Sequence, residues 1–424
     1  MLTKKNILDN LTLLNSLVYF LPVSFIMGNL AININILCIG LVGIVIYGPS
    51  IFNLNNRVLE FLLYGFFFYI ILITLIKNLP NLDTNVLYKE HIFKSFFFLR
   101  FLVFLLITNK LLQEKSFDFN LFFLVSSVCV FSVCFIEILN FLGVLKFSLF
   151  GDEKISGSYI QRFGLFPLFL INLIFLHSNY IKKKIILNLL LVILLIISII
   201  FSDNRMPLLL FLSYLVFASL LYKKIRNYLM LFLIFFSFSF FLAVKFFPDS
   251  DIKYKYRSFY GNARQILLDG PKLFYHGSLN YEVDYAGGHL VTFNSGVETW
   301  KKNKVFGGGL KSYRLNCVDQ ENGVVLLFVG CSTHPHNYIL ELLTDTGIIG
   351  LAFMYLIILL CFMNYFKLYN KSYFYTPFFI ILFFEFFPLR SSGSFFSTGN
   401  AAYIFFMLAF FINFFKVENL NNKN

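Results

Sequence analysis

Long apolar runs alternate with short polar breaks along this chain, and most of the runs have the length of a bilayer's hydrocarbon core. A spanning helix needs about 20 mainly apolar residues, and runs of that kind lie near 11–30, 34–52, 58–77, 92–109, 120–142, 163–180, 184–201, 206–222, 227–247, 337–366, 373–389 and 398–415. They predict an all-α polytopic membrane protein of about 12 transmembrane helices. One long polar interval, 248–336, falls between predicted helices 9 and 10. Its Tyr, Gly and charge content is too rich for a linker. Helical stretches near 252–268 and 291–304, with turns at Gly287-Gly288 and Gly307-Gly308-Gly309, predict a small, mostly helical cap. The expected organisation is therefore helices 1–9 over 1–247, the large loop over 248–336, and helices 10–12 with a short tail over 337–424.

Composition agrees with the pattern, since 58% of the 424 residues are hydrophobic and 13% are charged. The net charge of +13 reads as topology. Lys4, Lys5, Arg57, Lys110, Lys115, Lys182 to Lys184, Lys223, Lys224, Arg226, Lys367 and Lys371 all fall in breaks on one side of the predicted helices, as the positive-inside rule requires. That places 248–336 outside and leaves no need for a nucleic-acid partner. The N-terminal run lacks a small-residue cleavage site and reads as the first helix. Cys38, Cys129, Cys134 and Cys361 fall in predicted helices, whereas Cys317 and Cys331 share the outer loop. An oxidising compartment would allow a disulfide between those two; free thiols are equally compatible with the sequence.

The candidate chemistry is concentrated where the loop enters helix 10, in HPHNYILELLTDTGIIGL from His334. Pro335 disfavours helical geometry at His334, and residues i and i+2 of an extended chain share a side, so His334 and His336 can address one site. Asn337 is a suitable N-cap and would hold that site at the helix's positive end. Glu341 lies one turn on, placed to orient a ring nitrogen or balance an imidazolium. The plain alternative is a turn with two solvated histidines. A metal site drawing on His276, His289 or Cys331 has no standard zinc spacing, and no metal or other cofactor is expected.

Arginines supply the complementary charge. Arg162, Arg205, Arg257, Arg264, Arg314 and Arg390 all fall on the outer side or at its membrane edge, and a guanidinium grips phosphate oxygens bidentately. Arg314 and Arg390 read more simply as interfacial anchors or ion-pair partners. For Arg162 and Arg205 the two readings balance. Arg100, inside FFFLRFLVF, is costly in lipid and should face protein or water; Glu137 and Glu385 are candidate partners, and a structural pair is the favoured role.

Four segments together resemble the O-antigen ligase and polymerase superfamily of bacterial envelope glycosyltransferases: GSYIQRFGLFP, FSDNRMPLLLF, ETWKKNKVFGGGLKSY with Trp300, and HPHNYILELLTDTGIIGL. The resemblance spans roughly residues 157–350 in motif. It implies metal-independent transfer on the periplasmic face of the inner membrane. The donor would be an undecaprenyl-diphosphate-linked glycan, and the acceptor a lipid A core sugar or the next lipid-linked unit. It further implies His336 as general base with His334 beside it, and Arg205 with Arg162 as diphosphate ligands. Many relatives carry a loop arginine shortly before the tryptophan. Here that stretch is TFNSGVETW, so Arg257 or Arg264 would have to serve. The resemblance does not separate ligase from polymerase, and the motif and loop size lean to ligase. A polysaccharide or lipid transporter is the competing class, and no repeated pair of broken helices supports it. A noncatalytic scaffold does not account for the clustered Arg and His residues.

Overall fold

The computed structural model describes residues 4–144 except 55, 84 and 85, residues 206–221, parts of 226–238 and 260–271, and residues 289–317, 319–321, 324–326, 331–368 and 376–421 except 392. The predicted spans at 163–180 and 184–201 lie outside the described residues, and 227–247 is described only in pieces. Among the described residues five helices are long and apolar enough to cross a membrane, or six if the bent pair Asn10–Tyr19 and Leu21–Met27 forms one span. This is the architecture of an integral membrane protein. The count of twelve rests on the sequence pattern.

The helices are α1 (Lys4–Tyr19), α2 (Leu21–Met27), α3 (Asn29–Tyr47), α4 (Arg57–Asn78), α5 (Val86–Phe97), α6 (Leu99–Leu111), α7 (Phe119–Phe141) and α8 (Met206–Leu221). They continue as α9 (His289–Lys301), α10 (Tyr313–Asn316), α11 (Tyr338–Leu368), α12 (Thr376–Glu385) and α13 (Thr398–Asn421). The long polar segment 248–336, expected to be mostly helical, also holds a hairpin in which β1 (Asp319–Glu321) pairs antiparallel with β2 (Val324–Leu326). The adjacent β-branched residues Val324 and Val325 favour extended chain locally.

Helix boundaries follow local chemistry. Asn56 caps α4 by accepting the Leu59 amide at 3.0 Å, and Glu60 reaches back to accept from the Leu54 amide at 2.6 Å, which ties the preceding segment to the helix start. The first half of α13 is apolar on every side, and every residue from Ala401 to Ile412 is buried. Such a helix belongs in the core, and α13 packs on α6, α3, α11 and α12. Phenylalanines build that contact, with ring centroids 6.1 Å apart for Phe101 of α6 and Phe405 and 4.6 Å apart for Phe378 of α12 and Phe410. Outward-facing Leu41, Phe61 and Phe68 are exposed, as lipid-facing positions should be.

The feature that positions the site is a break in α11. Gly347 sits at φ +65° inside the helix, and the amides of Ile348 and Ile349 turn away from the preceding turn to donate to the carbonyls of Lys304 and Val305 at 3.0 and 3.3 Å. The carbonyls they abandon, Thr344 and Asp345, accept instead from Gly308 and Gly309 at 2.9 and 2.8 Å. These two amides and two carbonyls opened by the break are thus satisfied by the 304–309 segment. Only glycine fits: a Cβ at Gly307 would lie 2.5 Å from the Asp345 carbonyl oxygen, and one at Gly347 would lie 2.2 Å from that of Val305.

Candidate functional site

The upper turns of α11 carry the site, and three elements hold them. Asn337 accepts the Leu340 amide at 3.0 Å, so the expected cap is present. Its amide nitrogen also donates to the carbonyls of Pro388 and Arg390 at 2.7 and 2.9 Å, which fixes the cap to the loop between α12 and α13. Helix α9 lies across the other side. Its Gly296 allows such close approach that a Cβ there would meet Pro335 at 3.0 Å. Leu290, Phe293 and Val297 of α9 form a second small core with Leu340 and Leu343, and Trp300 packs at its edge. The Trp300 indole donates to the Lys304 carbonyl at 3.0 Å, which ties the end of α9 to the strand that enters the α11 break.

Above the cap, the imidazoles of His334 and His336 stand 4.2 Å apart between centroids, and His289, the first residue of α9, lies edge-on to His336 at 5.3 Å. His336 adopts a left-handed backbone at φ +51°, a strained choice for a residue with a Cβ and one frequent at functional positions. The loss of surrounding water and the neighbouring His336 push His289 down to about 4, so its ring is neutral near pH 7 and adds no charge beside His336. The Nδ1 atom of His334 lies 2.9 Å from the Thr333 hydroxyl. Among the described residues no group of three or more His, Cys, Asp or Glu side chains is arranged to hold a metal; His276 lies outside them.

Two further tethers hold the His-Pro-His segment. Cys317 and Cys331 form a disulfide with Cα atoms 5.9 Å apart, joining the end of α10 to the segment's start. Arg314 of α10 donates from Nε to the Thr333 carbonyl at 3.1 Å. Arg314 is exposed apart from this bond to the residue before His334.

Glu341 takes different partners from those the sequence points to. Its carboxylate, buried to 2% exposure, accepts from the Ser394 hydroxyl at 2.6 Å and from the Phe395 amide. Asp345, one turn further and fully buried, accepts from the Lys311 amide at 2.7 Å and the Ser312 hydroxyl at 3.1 Å. Lys311 donates from Nζ to Ser394 at 3.1 Å. Sequence reasoning missed Lys311, Asp345 and Ser394, and no local motif marks them. The available signal was an aspartate and a glutamate one turn apart inside an apolar helix, a pattern that demands a buried partner.

Arg162, Arg205 and Arg257 lie outside the described residues. Arg264 is exposed. Arg390 is buried in an ion pair with Glu385 at 2.6 Å. Glu385 is therefore not the partner of Arg100, a correction to the sequence expectation. Arg100 instead donates to the Phe97 carbonyl at 2.7 Å and to Thr398 at 3.3 Å, with its guanidinium over the rings of Phe97 and Phe101. The facing aromatic rings, the Phe97 carbonyl and the Thr398 hydroxyl oxygen compensate a charge for which no carboxylate is in place among the described residues. The side chain of Glu137 is outside them.

Residues 190–355 match the family model described as O-antigen ligase. The matched stretch includes α9, the glycine strand, the histidine segment and the first half of α11, so the chain carries an O-antigen ligase family domain whose C-terminal part is this site. Among curated proteins, none matches the chain.

Proposed function

We propose that this protein is a membrane glycosyltransferase that moves a glycan from an undecaprenyl diphosphate carrier to an acceptor hydroxyl, a lipid A core sugar in the ligase reading, at the periplasmic face of the bacterial inner membrane. One observation carries the reading: two imidazoles side by side at the capped start of a spanning helix, inside the O-antigen ligase family domain. A lipid-borne donor meets such a boundary without leaving the bilayer.

His336 takes the acceptor hydroxyl proton as that oxygen bonds to the donor's anomeric carbon. The bond from that carbon to the diphosphate breaks, and undecaprenyl diphosphate leaves with the electron pair. An imidazole with an ordinary pKa near 6.5 suits this proton transfer at neutral pH, and fixed cations stabilise the charge that gathers on the leaving group. Arg205 and Arg162 are the diphosphate ligands in this proposal, with Arg257 or Arg264 as loop candidates. Arg314 joins them because it is tethered one residue before His334. No step requires a metal.

The test uses purified protein and an undecaprenyl-diphosphate-linked oligosaccharide, with and without lipid A core. Core-linked glycan identifies a ligase and longer lipid-linked chains identify a polymerase. His336→Ala, inserted and folded, should lose transfer; retained transfer removes His336 as the base.

A further inference from the structure

The two buried carboxylates of α11 sit on the face turned toward Lys311 and the 388–395 loop, and their partners form one continuous chain. Lys311 occupies a left-handed backbone position at φ +64°, two residues after Gly309. Its amide meets Asp345 and its ammonium meets Ser394; Ser394 in turn donates to Glu341. Glu341 also holds the Phe395 amide, and earlier in the same loop the Pro388 and Arg390 carbonyls accept from Asn337. Asn337 caps the helix, and His336 is the residue immediately before that cap. A single side chain therefore joins the strand that fills the α11 break to the loop that holds its cap.

Charge explains why a lysine is needed. Two carboxylates without contact with water are costly unless paired and hydrogen-bonded, and the hydroxyls and amides around them supply bonds but no charge. Burial pushes the Lys311 ammonium below the ordinary lysine range, while Glu341 and Asp345 oppose that shift; Arg314 and Lys94 add a smaller repulsion. Lys311 is the cation of the cluster: its backbone amide is held by Asp345 and its ammonium by Ser394, with the charges of Glu341 and Asp345 nearby.

We propose that Lys311 is a positioning residue for His336, acting through Ser394, Glu341 and the Asn337 cap to hold the imidazole in line for proton transfer; this rests on the reading of His336 as the base. Displacing a catalytic group by about 1 Å costs on the order of 100-fold in rate. Lys311→Met should therefore lower kcat roughly 100-fold with little change in the donor's KM, because substrate contacts are retained. Lys311→Arg, which keeps the charge, should recover most of that loss. Adding Ser394→Ala to Lys311→Met should cost nothing further, since the chain is already cut.

The experiment measures transfer per folded molecule, with folding followed by size exclusion and melting in detergent. In parallel, diethyl pyrocarbonate labelling of His336 is read by peptide mass spectrometry across pH. Lys311→Met should move the labelling midpoint by about half a pH unit or more, while Lys301→Met, in a surface pair with Glu298, should not. Wild-type kcat in Lys311→Met, an unmoved labelling midpoint, or independent losses from Lys311 and Ser394 would overturn the proposal. Transfer retained in His336→Ala would overturn the base assignment instead, and the labelling midpoint would still decide whether Lys311 positions that ring.

Discussion

Replacing Gly307 by alanine tests whether the glycine strand and the α11 break form one lock. The residue sits at φ +77°, and its new Cβ would fall 2.5 Å from both the Asp345 carbonyl oxygen and the Gly347 amide nitrogen. Left-handed backbone costs alanine about 1–2 kcal/mol. The backbone clash must then be relieved by withdrawing the strand, which breaks the Gly308–Thr344 and Gly309–Asp345 hydrogen bonds at about 1 kcal/mol each. A buried carbonyl left without a partner adds roughly 1–3 kcal/mol, so the total is roughly 4–7 kcal/mol against a native stability on the order of 5–15 kcal/mol. Gly48 supplies the control: it has φ +53° but nothing within 4 Å of a Cβ, so Gly48→Ala should cost only the backbone share. Melting of detergent-solubilised protein, followed by fluorescence-detected size exclusion, compares the two. If Gly307→Ala melts with Gly48→Ala, the strand does not lock the break and the hydrogen-bond accounting is wrong.

Reducing the Cys317–Cys331 bond, or replacing both cysteines by serine, should destabilise the protein by about 2–4 kcal/mol for a loop of this size, read as a lower melting temperature with dithiothreitol and checked by mass spectrometry of the linked peptides. Asn337→Ala removes a cap, at about 1–2 kcal/mol, and also frees the Pro388 and Arg390 carbonyls; equal melting of variant and wild type would rule out the cap as an anchor. Arg390→Met strands Glu385 in the interior and should cost about 3–5 kcal/mol, whereas Arg390→Met with Glu385→Leu should recover most of it; no recovery would show that the pair is not the source. His289 is driven below its ordinary value to about 4, so the unfolded chain binds more protons than the folded one between about pH 6.5 and 4. The stability it contributes is therefore complete above about 6.5 and lost as pH falls toward 4. Neighbouring atoms crowd the ring, yet the residue as a whole keeps an exposed surface, so solvent screening holds the effect to about 1 kcal/mol or less, and His289→Ala should flatten that part of the melting curve against pH.

What was legible in the sequence tracks how local each cause is. Apolar runs announce helices because the bilayer imposes one length on all of them, and α3, α4 and α11 fall close to the predicted intervals. Asn337 could be read as a cap since its target amide lies three residues away. Glu341 could not be assigned: its partners, Ser394 and Phe395, are more than 50 residues distant, and an i to i+4 argument sees only its own helix. The break at Gly347 was hidden for a related reason. A lone glycine in an apolar helix is ordinary in membranes, and only the arrival of the Gly307-Gly308-Gly309 strand turns it into a junction. The cysteines show the intermediate case, where compartment allows a bond but only three-dimensional proximity makes it.

The break in α11 also explains why the reactive end of this helix can be rigid while standing at the membrane surface. A continuous helix would leave the first turns held mainly by their own backbone bonds, and terminal turns fray. Interrupting the helix at Gly347 opens two carbonyls and two amides that must find partners in a medium without water. Those partners come from the 304–309 segment, whose next residues bring Lys311 to the buried acids and Arg314 to Thr333. The unsatisfied backbone thus recruits the loop, and the loop delivers the charges that hold the histidine segment. On this argument the glycines at 307–309 and 347 act on the site without touching it, and substituting either set should misplace His336 even where the helix itself survives.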